Sequence, residues 1–381
     1  GTDWRIVRVR DVAAGRILDD ELRWVKFSGF AWATDGSGFY YSRFPAPADG
    51  ATFQSTNTNQ ALYFHRLGTP QDADTLVYST PDHPGYSHSG QVTDDGRFLV
   101  ITTTEGTDDR YEIHVVDLSR PGAAPRPLIA GLEHKWVLVG NEGSRMIFLT
   151  DKDAPRGRVV AIDAVRRIAP VELVAQRDTT LVSARRVGQR MILSYLGDAS
   201  SQAEMVDLAG RPVGRLTLGT IGSASGFDGN ATDSETFYAF TSFATPTTSY
   251  RLDTATGETT VFARPTVASD PDDYSVEQRF FASRDGTRIP MFVVMKKGVE
   301  RTGGSPTILY GYGGFAVSVT PGFSPTRMAW LDAGGVYAVV NLRGGSEYGA
   351  AWHDAGRLLN KQNVFDDFIG PGEYLIRAGI T

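Results

Sequence analysis

Two glycine-rich stretches hold the residue types best suited to chemistry in this 381-residue chain. The first is Tyr310-Gly311-Tyr312-Gly313-Gly314-Phe315, and the second is Asn341-Leu342-Arg343-Gly344-Gly345-Ser346-Glu347-Tyr348-Gly349. Glycines let a backbone approach a bound carbonyl closely. A hydroxyl at Tyr312 can donate to negative charge developing on that carbonyl, where one preorganised donor is worth roughly 3 kcal/mol. The same turn also reads as a tight corner with two packed aromatic rings, and both readings stand on the motif alone. Arg343 beside Gly344-Gly345 fits neither a P-loop nor Gly-x-Gly-x-x-Gly, so the spacing gives phosphate binding little support.

The search for a nucleophile is negative. No Gly-x-Ser-x-Gly turn occurs, and Gly344-Gly345-Ser346-Glu347-Tyr348 lacks the final glycine, so Ser346 reads as a loop serine. There is no cysteine, which removes thiolate metal sites and a Cys nucleophile together. The histidines at 65, 83, 88, 114, 134 and 353 form no His-Glu-x-x-His pair. His83 and His88 lie in a Pro/Gly/Ser loop and do not read as a metal site. His114 falls in a strand pattern as a packed or rim residue. His353, after Trp352, is the one histidine near the glycine turns, and a structural role is expected for it. No metal and no cofactor are expected.

The elements that must position these turns are short. Residues 307–310 and 336–341 are continuous apolar runs bounded by glycine, as expected for strands covered on both faces. Residues 326–333 fit a short helix between them. Residues 277–283 and 289–295 form a hairpin around Asp285-Gly286. Residues 365–378 have helical spacing at Phe365, Phe368, Ile369, Leu375 and Ile376, and Gly370-Pro371-Gly372 inside that run is expected to break or kink it. Strand, glycine turn, strand, glycine turn and helix together form the opening of an α/β-hydrolase sheet, in which the turn after such a strand supplies an oxyanion donor.

Upstream, residues 1–265 are strand-rich with a weak repeat of roughly 45–60 residues. One half of the unit is an alternating run around a polar turn, as in Phe30-Ala31-Trp32 with Phe39-Tyr40-Tyr41, or Gln91-Val92-Thr93 with Phe98-Leu99-Val100. The other half ends an apolar strand on Asp, at Asp117, Asp163, Asp207 and Asp253. Five four-stranded β-propeller blades are expected, plus the outer hairpin of a sixth at residues 4–18, about five and a half blades in all. Open meanders or a sandwich are the other reading. Pro265 to Asp273 marks a domain boundary, dividing the chain into 1–265 and 266–381.

Composition bounds the partners. The chain is 41% hydrophobic and 22% charged with a formal net charge of −6, and it has no Lys/Arg-rich run, so no nucleic-acid footprint is visible. No stretch reaches the roughly 18 apolar residues of a membrane span, and no membrane partner is expected. Gly1-Thr2-Asp3-Trp4 is not a signal peptide. Absence of cysteine is compatible with cytosol or bacterial periplasm. Both ends are expected to be cuts, and an α/β sheet cut after two or three strands is expected to expose an apolar edge.

Several long motifs in order make the chain resemble the prolyl oligopeptidase family of serine peptidases. They are 310–315, 341–345 with Glu347-Tyr348-Gly349, Trp352-His353-Asp354-Ala355-Gly356, and Lys361-Gln362-Asn363-Val364-Phe365-Asp366-Asp367-Phe368. Upstream, Val25-Lys26-Phe27-Ser28-Gly29-Phe30-Ala31-Trp32, His65-Arg66-Leu67-Gly68-Thr69 and Thr104-Glu105-Gly106-Thr107-Asp108 extend it over nearly the whole chain. The resemblance implies a seven-bladed propeller capping an α/β-hydrolase domain that cleaves short peptides after proline through a Ser/Asp/His triad. It implies that Tyr312 helps stabilise the oxyanion, that Phe315 lines the substrate pocket, and that Phe27 and Thr107 face the substrate from the propeller. It further implies a monomer when full length and short proline-containing peptides as partners.

The chain departs from the family's pattern in three ways. An N-terminal segment and the first blade or so have no counterpart here. Neither does the Gly-x-Ser-x-Gly turn with the Asp/His portion, so the 381 residues alone are expected to be inactive. Ser346 stands where a glycine is usual, and Gly370-Pro371-Gly372 interrupts a normally regular helix. Two other functions fit: a non-catalytic propeller binding protein with a truncated hydrolase domain, and a related oligopeptidase cutting after basic residues.

Overall fold

The computed structural model describes residues 3–54, 56–166, 168–299 and 303–381. Residues 1–265 form the expected blades. The hairpin Arg5–Asp11 with Arg16–Val25 comes first. Five four-stranded sheets follow, each running through its strands in sequence order. They span Phe30–Trp32 to Thr75–Tyr78, Tyr86–Val92 to Arg126–Ile129, Trp136–Glu142 to Val171–Val174, Thr180–Val187 to Pro212–Leu216, and Ser223–Gly226 to Thr259–Ala263. The first hairpin is longer than the sequence pattern suggested, because its second strand continues to Val25.

The repeated Asp has a local cause. Asp117, Asp163, Asp207 and Asp253 each end the third strand of a sheet. Each carboxylate accepts the backbone N–H two residues on, at 3.2, 2.8, 2.9 and 2.9 Å. This side-chain turn reverses the chain without spending a strand hydrogen bond. All four carboxyls are held below the usual range, chiefly by hydrogen bonds to residues of their own turns.

The described residues fall into two compact units, Gly1–Phe148 with Ala161–Pro170, and Leu149–Val160 with Val171–Thr381. We propose the 1–265 and 266–381 division as the domain organisation of the chain. In the first unit, His65 is fully buried between two carboxylates, with Nδ1 at 2.7 Å from Asp74 and Nε2 at 3.0 Å from Asp20. That network fastens the first hairpin to the first sheet.

In the second unit, residues 274–381 build a mixed sheet. Its order is Tyr274–Ala282, Arg288–Lys296, Val336–Val340, Thr307–Gly311, and only the last pair is parallel. One face of the sheet packs Ile289, Met291, Val293, Ala338 and Val340 against Val364 and Leu375 of the helix Gln362–Arg377. The other face packs Phe292, Val294 and Val339 under the helix Pro325–Asp332 and against Ala199, Phe243 and Ala244 from turns of the fourth and fifth sheets.

Two expectations fail here. Thr307–Gly311 is an edge strand, with Ile308 and Tyr310 exposed, so it is not covered on both faces. The helix Gln362–Arg377 is not broken: it continues through Gly370-Pro371-Gly372. Its buried face is Val364, Asp367, Pro371 and Leu375, spaced as one helical stripe. Of the five residues with helical apolar spacing, Leu375 is buried, whereas Phe365, Phe368, Ile369 and Ile376 are exposed. Proline costs one helical hydrogen bond, and burial of its ring offsets that loss. Gly370 lets the helix close on Phe281, whose ring would lie 3.0 Å from an added Cβ.

Arg343 holds this half together. Its Nε and Nη2 grip both oxygens of the buried Asp367 at 2.8 and 2.6 Å, its backbone N–H donates to Asp367 at 3.1 Å, and Nη1 reaches Asp285 at 2.5 Å. The phosphate reading of Arg343 therefore has no donor left to use. Glu347 is a further buried charge-bearing group. Its Oε1 accepts from the Val319 N–H at 2.9 Å and from Asn341 Nδ2 at 3.2 Å, while Oε2 has no partner. Burial pushes this carboxyl above the usual range.

Asp367→Asn should cost roughly 3–5 kcal/mol, because it strands a buried guanidinium; a urea midpoint within error of the parent's would contradict this. The Arg343 guanidinium holds Asp285 down at about 2 against an ordinary 3.8. Its folded-state value is depressed, so its contribution is present above pH 3.8 and fades as pH falls towards 2. Glu347 has the opposite sign: its folded value lies above the ordinary 4.5, so ionisation costs stability as pH rises above that value. Glu347→Gln should therefore gain on the parent in melting temperature progressively from about pH 4.5 upward, and a pH-independent difference would sink this assignment.

Candidate active site

Parallel pairing puts the two glycine turns side by side. Tyr310 pairs with Val339 and Gly311 with Val340. Both chains therefore leave the sheet at their carboxyl ends, where open α/β sheets bind ligands. The turns are then locked back to back. Gly313 has φ +62°, and an added Cβ would lie 2.5 Å from Val364 and 2.9 Å from Leu342. Gly344 has φ +93°, and its added Cβ would lie 2.7 Å from the Gly313 carbonyl oxygen. Lys361 Nζ donates to that same carbonyl at 2.7 Å.

Tyr312 and Phe315 are brought together on the first turn. Tyr312 is 48% exposed, and its hydroxyl has no hydrogen-bond partner among the described residues. Of the two motif readings, packed aromatic rings do not describe this turn: Phe315 is 74% exposed. What the turn offers instead is a free phenol donor beside an apolar ring.

The second turn grips the chain beyond Phe315. Phe315 and Ala316 are consecutive left-handed residues, with φ of +52° and +53°, a conformation costing roughly 1–2 kcal/mol each without glycine. The Ala316 N–H meets the Gly344 carbonyl at 3.1 Å and His353 Nδ1 at 3.1 Å. The Ala316 carbonyl accepts from Ser346 Oγ at 2.7 Å, and Asn341 Nδ2 donates to the Val319 carbonyl at 2.6 Å. His353 thus has the structural role expected of it. Ser346 spends its proton on a carbonyl and contacts no histidine, in line with a loop serine.

Phe27 and Thr107 belong to the first unit. Phe27 is exposed and left-handed, with φ +51°, in the loop between two strands. Thr107 is exposed in the turn after the strand Phe98–Glu105. The backbone beside Phe27 is anchored: Lys26 Nζ reaches Asn57 at 3.1 Å and lies 3.9 Å over the Trp4 ring, and Gln60 donates to the Lys26 carbonyl at 3.1 Å.

Among the described residues, no group of three or more His, Asp or Glu is placed to hold a metal. His88 is buried between Thr80 and Thr103, which pushes it down to about 4, and His114 lies against Tyr78. A cavity of about 310 Å³ in the second unit is lined by Arg156, Arg288, Tyr348 and Trp352. Neither Tyr312 nor Phe315 lines it, so geometry and exposure, not enclosure, mark the candidate site. Sequence reasoning missed Lys361, Asn341 and Glu347 as supports of the first turn; their place inside the same motifs was the available signal.

Residues 1–265 match the family model described as prolyl oligopeptidase, N-terminal beta-propeller domain, and residues 321–381 match that of the prolyl oligopeptidase family. The chain is 38% identical to a prolyl endopeptidase of Elizabethkingia miricola, covering all of this chain and 54% of that protein. It is 32% identical to a prolyl oligopeptidase of Omphalotus olearius, covering 99% of this chain and 53% of that one. A solved prolyl endopeptidase structure superposes with a TM-score of 0.92 at 37% identity, over 100% of this chain and 56% of the other. Prolyl oligopeptidase B of Galerina marginata, bound to a 25mer macrocyclization substrate, superposes at 0.94 with 29% identity, over 100% and 55%. The chain spans about half the length of the curated relatives it matches. With a propeller followed by the start of an α/β-hydrolase domain, and with family matches at both ends, the chain belongs to the prolyl oligopeptidase family.

Proposed function

We propose that this chain is part of a serine-type endopeptidase that hydrolyses short peptides on the carboxyl side of proline. The observation that carries the reading is the exposed, unpartnered Tyr312 hydroxyl on a turn locked by Gly313, Gly344 and Lys361. A phenol carried on a locked turn needs little reorganisation to donate to a tetrahedral oxyanion, which is the condition for electrostatic catalysis. In this reading Phe315 forms an apolar wall for the proline ring, and Phe27 and Thr107 contact the peptide from the propeller. The Ser, His and Asp of the triad lie in sequence outside these 381 residues, with Ser attacking, His taking its proton and Asp orienting His. The named relatives, prolyl endopeptidases and prolyl oligopeptidases, support the substrate class.

In the full-length protein, Tyr312→Phe should lower kcat on a Gly-Pro-linked chromogenic substrate about 100-fold with KM little changed, the signature of a donor used in the transition state. Activity within twofold of the parent would remove Tyr312 from the mechanism. The 381-residue chain alone should neither turn over that substrate nor react with a fluorophosphonate, and labelling of it would place a nucleophile inside this sequence.

A further inference from the structure

The corner at Phe315 and Ala316 is strained, and strain persists only where surrounding bonds over-determine it. The Gly344 carbonyl and His353 Nδ1 meet the Ala316 N–H, and Asn341 and Glu347 hold Val319 further along; these groups are fixed for other reasons. The Gly344 carbonyl is backbone, and Asn341 and Glu347 are buried and bonded to each other. Ser346 is different. Its hydroxyl has one proton, and the Ala316 carbonyl 2.7 Å away can only accept, so that proton goes to Ala316. The Ser318 hydroxyl, 3.0 Å from Ser346 Oγ, must then be the donor of that pair. A directed relay results, from Ser318 to Ser346 to the Ala316 carbonyl, and it ends on the residue next to Phe315. Without it the Ala316 carbonyl loses its side-chain donor, and the left-handed pair is held only through the Ala316 N–H, which leaves it freer to relax towards ordinary backbone angles.

We infer that Ser346 is a positioning residue: its hydroxyl pins the Phe315–Ala316 corner and so presets the Phe315 ring for substrate. This rests on the reading of Phe315 as the wall of the proline pocket. Phe315 is exposed, and its ring pairs with no other aromatic ring among the described residues. A ring preset in its bound orientation contributes affinity by avoiding ordering on binding. The consequence falls on ground-state binding of proline, not on the oxyanion.

The test uses the full-length protein with Ser346→Ala and Ser346→Gly, assayed on matched substrates carrying proline or alanine before the cleaved bond. The expected result is a KM for the proline substrate raised about threefold to tenfold, the range of one neutral hydrogen bond, with kcat within about twofold and the alanine substrate unaffected. Hydrogen exchange should quicken at the amides of Ala316, Val317 and Val319, with the melting temperature unchanged. Unchanged exchange at these amides overturns the pinning. Equal loss on both substrates, or loss in kcat, overturns the positioning role. Phe315→Ala separates the two readings: if it leaves the proline KM unaltered, the pocket assignment of Phe315 fails, while exchange still decides whether Ser346 holds the corner.

Discussion

The α/β-hydrolase portion of this chain depends on one buried guanidinium. Arg343 stands just beyond the central strand Val336–Val340 and is 4% exposed. A guanidinium buried to that degree requires carboxylates in planar, two-pronged geometry. Asp367 supplies them from the long helix, and Asp285 from the hairpin turn. Three pieces of chain far apart in sequence thus converge on one residue, and the loop that carries Arg343 has a single position available to it.

That position passes outward by contact. Gly344 follows Arg343 and touches Gly313; Gly313 follows Tyr312 and is held by Lys361. The second glycine turn is the scaffold of the first. It carries Ser346 and Glu347 and lies next to His353, and all three aim at the backbone beyond Phe315. The strained corner and the costly burial of Glu347 belong to the same arrangement: stability is given up locally to hold a surface turn rigid. Such a turn suits the proposed role, because a hydroxyl that must first be oriented gains little in stabilising an oxyanion.

Much of the fold was legible because its signals are local. A strand ending on Asp with a turn after it needs only that carboxylate and the next N–H groups, so the blade repeat could be read from Asp117, Asp163, Asp207 and Asp253. The hairpin around Asp285-Gly286, the short helix expected at 326–333 and the apolar strand runs at 307–310 and 336–341 are equally short-range patterns. The inner face of the long helix was not legible. Phe365, Phe368, Ile369 and Ile376 satisfy a helical apolar count, yet the face turned to the sheet holds Asp367 and Pro371. A periodicity count cannot know that an arginine 24 residues upstream needs a buried carboxylate. Arg343 itself was ambiguous for the same reason, since anion binding and internal ion pairing use the same group.

By itself the sequence determined the element types, the repeat, the absence of a Gly-x-Ser-x-Gly turn and the motifs that point to the family. These depend on residue identity and near-neighbour spacing, which folding does not alter. Only the tertiary structure decided that the two glycine turns interlock, that Arg343 is consumed internally, that Tyr312 keeps a free hydroxyl and that Ser346 grips Ala316. Those facts depend on which distant groups share a few ångströms of space, and on parallel strand pairing that sets Gly311 beside Val340. Spacing along a chain carries no record of either.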